Sequence, residues 1–202
     1  MRVLVVVLVV AALAPSSSIA ATTARQPVAG SPASLVLPAG WRTLTRAQVL
    51  NKALPAGIKQ NPQLAPILRA LRSSSLLRLF AFDPHARNGF ATNMNVLVTP
   101  QPGLTFDQFA RQIEYEIDHG AGGLRPVGRP GHRRIVLPAG PAVLTTLRLR
   151  VNVQGASLVA AVKQYALLHA GHGYVFSFTT LNVLSGRYAP AFARAARSIR
   201  FS

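Results

Sequence analysis

The groups in this chain able to move protons, hold a metal or grip an anion are five carboxylates, five histidines and a large excess of arginine. Glu114 and Asp118 sit four residues apart, a spacing that puts both on one helix face, as a general acid/base pair requires. Asp107 and Glu116 lie on the same stretch. The plainer expectation is a solvated outer face opposite an apolar stripe, because helix surfaces carry charge. His169 and His172 flank a turn at a spacing open to two metal ligands. No carboxylate or cysteine stands near them in sequence to supply a third. A Ser-His-Asp set exists by count, yet no Gly-x-Ser-x-Gly appears. Neither Gly-x-Gly-x-x-Gly nor a phosphate-cradling Gly-Lys-Ser/Thr is present, and Gly120–Gly123 follows a helix instead of opening one. No catalytic residue, metal or cofactor is assigned.

The sharper constellation is cationic. If Gln154-Gly155 is a two-residue hairpin turn, Arg150 lies opposite Val159, Arg148 opposite Ala161 and Thr146 opposite Lys163. Side chains alternate along a strand, so Arg148, Arg150 and Lys163 share one face, and Leu147, Leu149, Val151, Ala160 and Val162 the other. A four-residue loop over Pro138–Pro141 adds Arg133 to the basic face. Such cations on adjacent strands suit a phosphate or carboxylate ligand. Val159, Tyr165 and Leu144 on that face predict partial cover by a helix.

Composition frames this set. The net charge is +17, from 22 basic and 5 acidic residues, which favours a polyanionic partner such as a cell-wall phosphate polymer, anionic lipid or acidic polysaccharide. Arginine outnumbers lysine 19 to 3, a bias that a GC-rich genome also produces, so the charge alone does not establish binding. There is no cysteine, hence no disulfide framework, thiol catalysis, thiolate zinc site or lipoprotein anchor. Met1-Arg2, the apolar run Val3–Leu13 and the small residues ending at Ala20 have the pattern of a secretory signal peptide, too short to span a membrane. The expected organisation is a signal peptide over 1–20, a flexible leader over 21–33 and a single domain over 34–202. Export and few aromatics placed to stack on bases argue against nucleic acid.

The elements that must carry these residues follow from periodicity and turn chemistry. Strands are predicted at Ser34–Leu37, Leu76–Asp83 and Ala91–Thr99. Helices are predicted at Arg46–Ala53 after Thr45, from Asn61-Pro62 through Leu71, and after Thr105 with Phe106, Phe109, Ala110, Ile113 and Ile117 facing inward. A meander of strands follows at Leu124–Arg129, His132–Leu137, Ala142–Val153, Ser157–Ala170 and Gly173–Thr180. A helix over Arg187–Arg197 and an edge strand at Ile199–Phe201 close the chain. Leu-Pro-Ala-Gly occurs at Leu37–Gly40 and Leu137–Gly140 and reads as turn chemistry, not as a repeat. Trp41 reads as a core plug.

This order of elements resembles the Mog1/PsbP-like fold, as found in small secreted actinobacterial proteins. The residues carrying the likeness are Leu35-Val36-Leu37-Pro38-Ala39-Gly40-Trp41, Asn93-x-Asn95-Val96, Leu137-Pro138-Ala139-Gly140-Pro141-Ala142 and Ser198-Ile199-Arg200-Phe201. The resemblance implies an α+β domain, an antiparallel β-sheet meander flanked by helices on both faces (an α/β/α sandwich). It also implies a binding or assembly role instead of catalysis. The roles of understood members, at a photosynthetic complex and at a nuclear-transport GTPase, do not transfer to an exported chain without an acidic docking cluster. The expectation is therefore a secreted, non-enzymatic binding or accessory protein of the cell envelope. It would recognise an anionic component or partner protein through Arg133, Arg148, Arg150 and Lys163. The alternatives are a carrier of a small apolar ligand near Trp41, Phe80 and Phe109, and a hydrolase with an unrecognised site.

Overall fold

The computed structural model describes residues 25–53, 55, 59, 75–85, 87–120 and 125–202. The expected signal peptide and the expected helix from Asn61 to Leu71 lie outside these residues. Two antiparallel sheets organise the rest. Strands β1 (Arg25–Pro27), β2 (Ala33–Val36) and β10 (Arg200–Phe201) form a small sheet in the order β1-β2-β10. The main sheet runs β3-β4-β5-β9-β8-β7-β6, from β3 (Arg42–Leu44), β4 (Leu77–Phe82), β5 (Asn93–Pro100), β6 (Gly131–Leu137), β7 (Gly140–Val153), β8 (Ala156–His169) and β9 (His172–Leu181). Helix α1 (Arg46–Gln48) runs on as a π-helical turn over Val49–Ala53. Helices α2 (Phe106–Asp118) and α3 (Ser185–Arg197) pack on opposite faces of the main sheet.

Alternation in the strands produces two cores. On the α2 side, Phe109, Ala110, Ile113 and Ile117 meet Phe80, Leu97, Leu147, Val162 and Val175. On the α3 side, Phe192, Ala195 and Ala196 meet Val96, Tyr165, Phe176 and Phe178, with Leu35 of the small sheet and Ile199 just before β10. Both α1 and α2 begin at the capping boxes that Thr45 and Thr105 make with Gln48 and Gln108.

Several expectations are corrected. The leader ends sooner than residue 33, because Arg25–Pro27 pairs with β2 and Val28 is buried. Arg25 Nη1 fixes that strand by donating to the Ser198 carbonyl at 2.8 Å. The predicted strand over Leu124–Arg129 reduces, among the described residues, to a bridge from Pro126 to Leu149 and a bond from Val127 N–H to the Arg148 carbonyl. Pro126 and Pro130 lack the N–H groups a continuous ladder needs. The β6–β7 connection is a two-residue turn, with Leu137 opposite Gly140, and not a four-residue loop. Pro141 can join β7 because the β8 ladder starts only at Ala142.

Candidate functional site

The β7–β8 hairpin has the register that its turn chemistry predicts. Gln154 and Gly155 both take positive φ, 50° and 84°, as a type I′ turn demands. Arg150 stands opposite Val159, Arg148 opposite Ala161 and Thr146 opposite Lys163. Arg148 and Arg150 are exposed and Lys163 half-buried, while Leu147, Leu149, Val151, Ala160 and Val162 are buried beneath α2. Arg133 reaches the same face despite the corrected turn. It pairs with Leu144 instead of Thr146, and a shift of two residues preserves the face. All four cations therefore lie on the α3 side of the sheet.

The α3 helix covers only part of that side. Leu144 and Tyr165 oppose each other and pack into the core, as the expected partial cover requires. Burial raises the Tyr165 phenol above its ordinary pKa, and the positive charges of Arg197 and Arg133 oppose the rise. Arg197, in the last turn of α3, thus joins the basic face, a position that tertiary packing alone supplies. Its place near the helix C-terminus also suits the helix dipole.

The carboxylates stand elsewhere. Arg134, adjacent to Arg133 in sequence but on the opposite face, takes Asp107 and lies 3.9 Å from Glu114. Asp118 Oδ1 lies 3.0 Å from His132 Nε2. Glu114 and Asp118 are therefore each matched to a different β6 side chain instead of to one another. Glu116 departs from the expected outer face: it is buried and accepts from Gln112 Nε2 at 3.2 Å. Asp83 meets Tyr188 and His85. No ion pair involves Arg133, Arg148, Arg150 or Lys163 among the described residues.

Thr145 Oγ1 lies 3.0 Å from His132 Nδ1, so Thr145, His132 and Asp118 form a hydroxyl–imidazole–carboxylate chain. Thr145 is only 1% exposed, which keeps its hydroxyl from any substrate in solution. His169 stacks flat on Phe201 at 4.1 Å, and His172 Nδ1 bonds the Ala170 carbonyl at 2.9 Å. Both rings are thus engaged locally. The sheet divides the residues expected around an apolar ligand: Trp41 packs on Phe192 on the α3 side, whereas Phe80 and Phe109 are buried on the α2 side. Asn93, Asn95, Gln164 and Thr179 also face the α2 core, and each has a buried side-chain atom without a hydrogen-bond partner among the described residues. Such atoms cost about 1–3 kcal/mol each.

Asp83 ties α3 to β4 and sets a pH dependence. Burial pushes its carboxyl up, but hydrogen bonds from Tyr188 Oη at 2.6 Å and from the His85 backbone and ring outweigh that, with help from the His85 charge. The net pKa lies below the ordinary carboxylate value. The folded state thus holds this proton less tightly than the unfolded chain. Its contribution is present above the ordinary carboxylate value and is lost as pH falls through the lowered one. Tyr188 is raised, first by burial and then by its bond to Asp83, so its contribution is lost as pH rises through that raised value. Tyr188→Phe is expected to cost about 1.5 kcal/mol at pH 7, the low end for a bond to a charged group. Urea unfolding at pH 7 and pH 3 checks it: the gap from wild type should shrink at pH 3. A gap that does not change with pH would show that Asp83 is not the partner that matters.

No protein-family model matches the sequence. No curated protein matches it either. Solved structures do match by shape. Cyanobacterial PsbP from Synechocystis sp. PCC 6803 shares 14% identity, with 93% of this chain and 98% of that chain covered and a TM-score of 0.50. LpqN, described as involved in cell envelope biogenesis of Mycobacterium tuberculosis, shares 12% identity, with 89% and 91% covered and a TM-score of 0.52. The fold is Mog1/PsbP-like, an antiparallel sheet with helices on both faces.

Proposed function

We propose that this Mog1/PsbP-like chain is a non-enzymatic binding or accessory protein of the cell envelope. It acts outside the cytoplasm as one domain, after removal of residues 1–20, and recognises an anionic partner through Arg133, Arg148, Arg150 and Lys163. The observation that carries the reading is the segregation of charge across the main sheet. Four of five carboxylates lie on α2, with Asp107, Glu114 and Asp118 matched to Arg134 and His132 of β6, while the four cations on the α3 side face no acid among the described residues. Codon usage sets how many arginines a chain carries. It does not sort their partners onto one face. The involvement of LpqN in cell envelope biogenesis agrees with this address.

The test is retention of the mature protein on envelope material from a GC-rich Gram-positive bacterium across a salt gradient. Wild type is expected to bind and to be released by salt, since exposed charges are screened. R148A/R150A/K163A is expected to wash through at low salt. Equal retention of both proteins would overturn the assignment of these residues.

A further inference from the structure

The basic face is a line, not a round patch. Along β7, Arg150 and Arg148 are two residues apart, Lys163 stands opposite Thr146, and Arg133 stands opposite Leu144. Each level is thus two residues from the next, about 6.7 Å along a strand, so the line spans about 20 Å. Lys163 and Arg133 are rooted one strand to either side of β7, an offset of about 4.8 Å that long side chains cover.

We propose that this line binds a linear phosphodiester polymer with three-carbon bridges, laid along β7 with one phosphate to each cation; the proposal rests on the anionic-partner reading above. Two residues of extended chain separate Cα atoms by six bonds. A P–O–C–C–C–O–P repeat also separates its phosphorus atoms by six bonds, so the two pitches match when both chains are extended. Arginine at three of the four levels supplies forked, always-charged donors that suit phosphate oxygens. The half-buried Val159 and Ala161, on β8 beside Arg150 and Arg148, give the polymer backbone an uncharged flank. A lipid surface fits less well, because it needs apolar groups that enter the bilayer beside the charges. Among the described residues, the exposed large hydrophobics are Tyr115 on α2, Val136 on the other face of β6 and Val183 before α3, none of them in the line.

The experiment is titration of the mature protein with poly(glycerol phosphate) at several salt concentrations. Inorganic phosphate and phosphatidylglycerol vesicles form separate arms. Each phosphate neutralised on a single-stranded polyanion contributes about −0.7 to the slope of log K against log salt, so a slope of about −3 is expected. R133A, R148A, R150A and K163A should each weaken binding several-fold and make the slope shallower by about 0.7. R111A, at an exposed position on α2, should leave the slope unchanged. Inorganic phosphate that competes as well per phosphate as the polymer would overturn the line in favour of a compact site. Binding to vesicles but not polymer would overturn it and keep an anionic partner. Identical slopes in wild type and in the variant lacking all four cations would overturn both readings.

Discussion

Phe192→Ala is expected to destabilise the protein by about 3–5 kcal/mol, the range for emptying a large aromatic from a core. Phe192 is 2% exposed and meets three rings: Phe178 at 5.0 Å, Tyr188 at 5.8 Å and Trp41 at 6.3 Å. It joins α3 to β9 and to the segment after β2. Domains hold only about 5–15 kcal/mol in total, so the variant should lie near the edge of folding. Trp41 is the only tryptophan and packs directly on this ring, so its fluorescence reports the transition. Phe192→Leu, which leaves a smaller cavity, should recover much of the loss. A loss below about 1 kcal/mol in urea unfolding would mean that α3 is not anchored here. The consequence for the basic face is direct, because α3 carries Arg197 and supplies the partial cover over Tyr165.

Gly173→Ala is expected to cost about 3 kcal/mol, by overpacking instead of by a cavity. A Cβ at Gly173 would stand 2.6 Å from Phe109 Cε2 and 3.1 Å from Thr99 Oγ1. Phe109 is fully buried between α2 and the sheet, so its ring has nowhere to retreat. The missing side chain on β9 is therefore what lets α2 sit this close. A double-mutant cycle with Phe109→Leu checks the mechanism, since a smaller ring position should tolerate the new methyl and the two losses should not add. Strict additivity would place the damage elsewhere.

Much of the candidate site was legible because its geometry is local. Gln154-Gly155 names a turn, the turn names the register, and strand alternation then assigns Arg148, Arg150 and Lys163 to one face. A four-residue loop and the observed two-residue turn put Arg133 on the same face, since they differ by two residues and the strand period is two. Helical periodicity describes one apolar stripe and so leaves Glu116 on the outer face, whereas the fold buries it with Gln112 Nε2 donating to its carboxylate. Asn93 and Asn95, which carry part of the family likeness, turn inward to the α2 core, each with a buried atom that finds no hydrogen-bond partner among the described residues. Nothing in polar residue type announces that burial.

The sequence by itself determined the order of elements from β4 onward, apart from the strand predicted over Leu124–Arg129, together with the capped starts of α1 and α2, the long hairpin and the α+β class. Each depends on neighbours in the chain: a cap three residues away, a turn of two, an alternation of two. Only the tertiary structure decided which acids meet which bases. Arg134 takes Asp107 across 27 residues, and Tyr188 takes Asp83 across 105. It also decided that Arg25–Pro27 is a strand and that Trp41 and Phe80 lie on opposite sides of the sheet. Those outcomes depend on which elements stack. Stacking is set by the sum of many weak, non-directional burials over the whole chain, which no short stretch of sequence encodes.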